Sequence, residues 1–248
     1  MKAVVHEEHQ ERDHWWFRAR RAIFREFLNE RVQLPQDPRV LDLGPGSGVN
    51  LEVLEPLGSL INLDLSRFSL ERLSELGPHG SPVQGNAERL PFQSDSCDLV
   101  CALDVLEHLD DDLAALVEIR RVLAPGGALF FSVPAHPWMW GRQDVLAEHR
   151  RRYRRSDLAS HLLSAGFVLE RMSYFNTLLF PPIAAVRLAM RPFLSKTKEG
   201  GSDLAVQLPF GLDEVLYRSF AIERRILPDR DLPFGVSLIG LARPEERA

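Results

Sequence analysis

The segment Val40-Leu41-Asp42-Leu43-Gly44-Pro45-Gly46-Ser47-Gly48 is an apolar strand that ends in a glycine-rich turn and feeds a helix. Glycines at alternate positions let the backbone turn tightly and admit a ligand with no Cβ in the way. The helix N-terminus just beyond favours negative charge. In a doubly wound sheet such a turn lies at the carboxyl ends of the strands, where ligands bind. The spacing is G-x-G-x-G, not G-x-G-x-x-G, and alone it fits a purely structural turn as well. Asp64 adds weight: it stands twenty residues past Gly44, at the end of the next apolar run. An acidic side chain there can accept hydrogen bonds from both hydroxyls of a ribose. It also fits a helix N-cap, although Ser66 serves that role at least as well.

Downstream of Arg39, short apolar runs alternate with helix-like segments. Residues 40–43, 59–65, 82–84, 98–103 and 128–133 predict strands, and 50–57, 67–76 and 112–123 predict the helices between them. This alternation predicts a parallel sheet with crossover helices. In the last of these helices Leu113, Leu116, Val117 and Ile119 are the expected apolar face, with Asp110, Asp111 and Asp112 as cap candidates. Pro125-Gly126-Gly127 is expected to stop it and turn the chain into the next strand. Three segments stand outside the pattern: a charged, aromatic, helical extension at 6–31, a His-, Trp- and Arg-rich connection at 135–155, and an insert at 177–233. The insert separates a strand at 167–174 from a last apolar segment at 235–242, and residues 195–203 within it read as a flexible polar linker.

With 248 residues, 45% hydrophobic content and 26% charge, the chain has the composition of an ordinary globular protein, not of a disordered or collagen-like one. One domain over 1–248 is expected, with a core of 39–176 plus 234–243. The net charge of −5 argues against nucleic acid as a partner. If Cys97 and Cys101, four residues apart, lie on one strand, they are roughly 13 Å apart and cannot bridge, so they read as reduced thiols. The N-terminus shows no apolar signal segment. The longest apolar stretch, 178–186, is nine residues and holds Pro181 and Pro182, too short for a span that needs about 20. A cytoplasmic address is expected. The apolar, arginine-dotted stretch from 178 to 194 can pack on the core, wall a substrate pocket, form a homodimer contact or lie on a membrane surface as a peripheral element.

Five ordered blocks, VLDLGPGSG (40–48), LDLS (63–66), GNAERLPF (85–92), CDLVCALDVLEHL (97–109) and LAPGGALFFSVP (123–134), resemble those of the class I S-adenosylmethionine-dependent methyltransferases. The resemblance covers about 39–176. It implies a Rossmann-like, doubly wound α/β fold: a mostly parallel seven-stranded sheet with helices on both faces, a last antiparallel strand and an N-terminal helical lid. The implied cofactor is S-adenosyl-L-methionine, with S-adenosyl-L-homocysteine as product. Position by position, it implies that Asp42 and the backbone around Gly44 hold the methionine end, while Gly46 and Gly48 permit close approach. Asp64 would bind the ribose beside Leu65, and Asn86, Ala87 and Glu88 would flank the adenine, many relatives having Asp at the place of Asn86. Asp104 and Val105 would border the methionine moiety. The HWWF start (14–17) and the H-x-R-R-Y loop (149–153) resemble bacterial methyltransferases of surface-glycan and lipid-linked pathways.

Methyl transfer needs an acceptor lone pair aligned with the methyl–sulfur axis, and a hydroxyl or ammonium acceptor also needs a base. His149 is the preferred base, with His108 the second candidate; each also fits a structural role, His108 as a helix cap and His149 as a surface loop residue. Trp15, Trp16 and Arg20 of the extension, and His136, Trp138, Arg152 and Tyr153 of the 135–155 connection, are the expected substrate contacts. Six arginines between 142 and 155 suit an anionic acceptor, or equally a solvated helix start with local ion pairs. No metal site is expected, because the histidines lack ligand spacing along the chain. Two other functions compete: a non-catalytic cofactor- or partner-binding relative, and an NAD(P)-dependent oxidoreductase, which would call for G-x-G-x-x-G.

Overall fold

The computed structural model describes residues 13–190 and 211–245. The linker expected at 195–203 and the start of the extension, 6–12, lie outside them. The sheet has seven strands: β1 (Arg39–Leu43), β2 (Ser59–Asp64), β3 (Ser81–Gln84), β4 (Cys97–Leu103), β5 (Leu123–Pro134), β6 (Phe167–Phe175) and β7 (Ser237–Pro244). Their order is β3-β2-β1-β4-β5-β7-β6. Neighbours from β3 to β5 pair in parallel, and β7 slots antiparallel between β5 and β6. The strand order therefore reverses between β1 and β4, and at such a switch point the carboxyl strand ends open a crevice.

Both faces of the sheet are covered, which is why the central strands are apolar without alternation. On one face Val40, Leu99, Cys101, Phe130 and Ile239 pack with α1 (Trp15–Arg31) through Ile23, Phe24 and Phe27. On the other, Leu41, Val100, Phe131 and Leu238 pack with α4 (Asp112–Val122) and α6 (Arg155–Ser164). The N-cap of α1 is His14, whose Nδ1 accepts from the Trp16 amide at 3.2 Å. The remaining helices are α2 (Leu51–Leu54), α3 (Arg67–Glu75), α5 (Arg142–Leu146), α7 (Phe180–Met190) and α8 (Leu212–Ala221).

Three local expectations are corrected. The helix expected over 50–57 is only α2 plus a 3₁₀ turn at Glu55–Leu57, because Pro56 lacks the amide that would continue the ladder. The apolar face of α4 is Ala115, Leu116, Ile119 and Val122, whereas Leu113 and Val117 are 37% and 48% exposed. The helix is rotated from the expected stripe because Asp112 is drawn inward to the Tyr153 hydroxyl, 2.6 Å away. Finally, Pro125-Gly126-Gly127 lies inside β5, where the register against β4 shifts. Within the described residues no helix is long and apolar enough to cross a membrane.

Candidate functional site

The glycine-rich turn sits at the carboxyl end of β1, beside the ends of β2 and β4. Gly44 has φ +60°, and a Cβ there would fall 2.9 Å from a Val105 methyl. Gly46 has φ +54°, yet a Cβ would meet nothing nearer than 4.0 Å, so its outer side faces open space. At Gly44 the backbone must pass close to β4's exit; at Gly46 the left-handed conformation leaves room for something other than protein. The Gly44 amide donates to the Leu63 carbonyl at 2.8 Å, which ties the turn to β2.

Asp64 ends β2 and turns back toward this cradle. Its carboxylate accepts from the amides of Ser66, at 2.8 Å, and Gly46. Partial burial still raises its pKa. Ser66, not Asp64, caps α3 by accepting from the Ser69 amide at 3.2 Å. Asp42, 2% exposed, has its pKa pushed up to about 8 by burial and then by the charge of Asp64. Leu65, 70% exposed, gives an apolar surface beside Asp64. Asn86 turns its own loop, with Oδ1 accepting from the Glu88 amide at 2.8 Å, while Glu88 accepts from the Asp111 amide at 3.0 Å and Ala87 is buried. Asn86 and Glu88 therefore each have one oxygen committed within the protein.

Asp104 follows β4 at φ +58°, and its carboxylate pairs with the buried Arg20 guanidinium from α1. Ser132 of β5 joins them, accepting from Arg20 at 2.9 Å and donating to Asp104 at 3.2 Å. The Arg20 guanidinium also lies over the Phe24 and Phe175 rings. Arg20, an expected substrate contact, instead has its charge paired with Asp104, which joins α1 to the strand end.

The fold gathers the next group from two distant loops. His149 lies at the end of the 135–155 connection, with Nδ1 at 3.0 Å from Asp144 Oδ1. Asp144 is fully buried and also meets Arg152 Nε at 2.7 Å, Arg187 Nη1 at 2.8 Å and the Gly141 amide at 2.8 Å. Burial would raise its pKa, but His149, Arg152 and Arg187 overcome that and hold the carboxyl below the usual range. The Asp144 carboxylate accepts from Nδ1–H and so orients the ring with Nε2 pointing away from it. That nitrogen lies 3.9 Å from Glu107 Oε1, and the ring packs edge-on to His108 at 4.8 Å. His108 hydrogen-bonds the Glu148 carbonyl, and burial, then His149, lowers its pKa. Glu107 is 0% exposed, and neither of its oxygens accepts from a side chain or another residue's amide. Burial, then Asp104, pushes its pKa well up.

Two of the other expected contacts are committed inside the protein. Arg152 is buried and spent on Asp144 and the Ala135 carbonyl, the latter at 3.0 Å. Tyr153 is buried with its hydroxyl bonded to Asp112 and the Leu106 carbonyl. Neither can meet a substrate without breaking these bonds. Trp16 packs on Phe220, 5.3 Å between centroids, and Trp15 lies edge-on to it. His136 stacks on Tyr174 at 5.1 Å, with Trp138 and Phe180 flanking it, and forms an aromatic cluster beyond β5. The basic run also resolves into ion pairs: Arg150 with Asp110, Arg151 with Asp112, and Arg155 with Asp231. The partners lie in other segments, 39 to 76 positions away, so these pairs tie the connection to neighbouring parts of the fold. Sequence reasoning missed Glu107, Asp144 and Ser132. Glu107 adjoins His108 in LEHL, which is a signal; Asp144 lies in the arginine-rich stretch 142–155, where nothing in the spacing singles it out.

The cradle fits a nucleoside cofactor. A ribose diol matches the remaining acceptor capacity of Asp64, and the space outside Gly46 accommodates a ligand against bare backbone. Comparison with known proteins agrees. Residues 41–131 match the family model described as a methyltransferase domain. A Mycolicibacterium smegmatis protein named a probable S-adenosylmethionine-dependent methyltransferase is 27% identical over 161 residues, 64% of this chain and 61% of its own length. The malonyl-[acyl-carrier protein] O-methyltransferase of Marinomonas sp. is 40% identical over 123 residues, 45% of each chain. The ubiquinone biosynthesis O-methyltransferase of Saccharophagus degradans is 26% identical over 165 residues, 59% of this chain and 70% of that one. The chain thus spans about 61% of the length of its Mycolicibacterium relative. Among solved structures, an S-adenosylmethionine-dependent methyltransferase from Mesorhizobium loti shares the fold, with TM-score 0.55 and 21% identity over 88% of this chain and 97% of that one. A chain from the Haloferax volcanii complex with the Trm112 methyltransferase activator does so with TM-score 0.63 and 19% identity, over 100% and 96%.

Proposed function

We propose that the chain is a class I S-adenosylmethionine-dependent methyltransferase that methylates an oxygen or nitrogen of a small molecule or a lipid- or glycan-linked intermediate. The observation that carries the reading is the cradle: left-handed Gly44 and Gly46 at the end of β1, with Asp64 drawn against the Gly46 amide. S-adenosylmethionine, when bound, supplies an electrophilic sulfonium methyl, so the protein's work is alignment and proton handling. Asp64 takes the ribose hydroxyls, and Asp42 and the glycine-turn backbone take the amino-acid end. Arg20 and Ser132 hold Asp104 at the mouth of the same crevice. His149, its ring oriented by Asp144, serves the acceptor's proton from the adjacent loop. Two relatives, the ubiquinone biosynthesis and malonyl-[acyl-carrier protein] O-methyltransferases, favour oxygen as the acceptor atom.

Calorimetric titration with S-adenosylhomocysteine and, separately, with NAD tests the premise. Saturable binding of the first alone is expected; binding of NAD alone, or of neither, overturns the reading. The acceptor is then sought by methyl-label transfer from S-adenosylmethionine into panels of hydroxylated and carboxylated lipids, glycans and small aromatic compounds. Label is expected in a hydroxyl- or amine-bearing class.

A further inference from the structure

Sequence spacing alone predicts no metal site, but the tertiary fold brings Glu107, His108 and His149 together with one ligand atom of each within 4.8 Å of the others. Three independent features mark this group. First, both carboxylate oxygens of Glu107 are buried with no donor from another residue, a costly state for a polar group. Second, His149 uses Nδ1 on Asp144 and turns Nε2 toward Glu107. A carboxylate that orients a histidine through its far nitrogen is the usual outer support of a metal-bound imidazole. Third, the His108 ring stands edge-on to the His149 ring, 4.8 Å between centroids, so the two imidazoles share one pocket edge. Arg20 and Arg152 lie near Glu107, but each is already bonded to a different carboxylate, Asp104 and Asp144.

We propose that Glu107, His108 and His149 form a binding site for one divalent first-row transition cation at the mouth of the crevice. Two imidazoles and one carboxylate suit Zn²⁺, Mn²⁺, Fe²⁺ or Co²⁺ and disfavour Mg²⁺ and Ca²⁺, which prefer all-oxygen shells. Ligand atoms about 2.1 Å from one ion are roughly 3–3.5 Å apart, so small side-chain rotations close the shell. Three protein ligands leave coordination positions open, where a hydroxyl acceptor, its acidity raised by the cation, can bind as the oxyanion with its proton released to solvent water. His149 Nε2 cannot ligate and accept a proton at once, so in the metal-bound protein it acts on the acceptor through the ion. Only this last role rests on the methyl-transfer reading; metal binding stands apart from it.

The test is a Co²⁺ titration of the full chain after chelator stripping, followed by visible d–d absorption, with Zn²⁺ as competitor. One Co²⁺ per chain, displaced by Zn²⁺, is expected. Glu107→Gln and His108→Asn should each weaken Co²⁺ binding at least tenfold; the second position is only half-buried and guards against a folding defect in the first. S-adenosylhomocysteine binding, measured alongside, reports the cofactor cradle independently. Absence of stoichiometric Co²⁺ uptake overturns the proposal, as does unchanged affinity in both variants, whatever the cofactor result.

Discussion

At the residue scale, the cradle depends on a few atoms. Gly44→Ala places a methyl at 2.9 Å from Val105 in a left-handed conformation, so it should cost about 1–3 kcal/mol of stability, read from the urea midpoint. Asp64→Ala removes the acceptor for the ribose and should weaken S-adenosylhomocysteine binding by roughly tenfold or more, since hydrogen bonds to charged groups contribute about 1.5–3 kcal/mol. An unchanged Kd in calorimetry would remove Asp64 from the site. His149→Ala should lower turnover by about 10²-fold or more while that Kd holds, because it acts on the acceptor and not on the cofactor. Asp64 was legible because its meaning is carried by spacing along one βαβ unit. Asp144 and Glu107 were not. Asp144 pairs with Arg187, 43 positions away, and Glu107 meets His149, 42 positions away, across loops whose approach no local pattern encodes.

At the element scale, α1 and α4 show two ways in which a helix reads from its sequence. The stripe of α1 is large and aromatic, and it packs as its pattern suggests: Phe24 sits between Phe130 and Phe175, at 5.5 and 6.1 Å between centroids. Phe24→Ala should cost about 3–5 kcal/mol and should also loosen the Arg20–Asp104 link that α1 carries to the site. In α4 the apolar residues are spread too widely to define one face, and the inward pull of Asp112 on Tyr153 decides the rotation. Leu116→Ala should therefore destabilise by about 2–5 kcal/mol, whereas Val117→Lys should change stability by less than about 0.5 kcal/mol. Paired thermal melts separate the two; equal losses would place the helix in the other rotation.

At the scale of the whole molecule, buried carboxyls shape the pH response. Asp42 has a folded pKa of about 8 against an ordinary 3.8. The folded state therefore holds that proton more tightly than the unfolded chain, and stability is lost as pH rises from about 4 through 8, by up to roughly 1.4 kcal/mol per pH unit. Asp144 has the opposite sign: its depressed pKa gives stability that is lost as the pH falls below the ordinary carboxylate range. Asp42→Asn, which mimics the protonated form, should raise Tm strongly at pH 8.5 relative to the parent and much less at pH 5, where only about one pH unit of the loss has accrued. The same offset at both values would mean that Asp42 is not titrating. The sequence by itself determined the α/β alternation and the glycine turn with its acidic partner, whereas the place of the last strand between β5 and β6 came from the fold. The alternation and the turn are written in periodicity and in short spacings, where neighbours in the chain remain neighbours in space. Only the tertiary structure decided which arginines are spent on internal carboxylates, which side of α4 is buried, and that Glu107, His108 and His149 meet. Those outcomes depend on loops closing over the sheet edge, where contacts between distant residues and the cost of burying an unpaired charge select the arrangement.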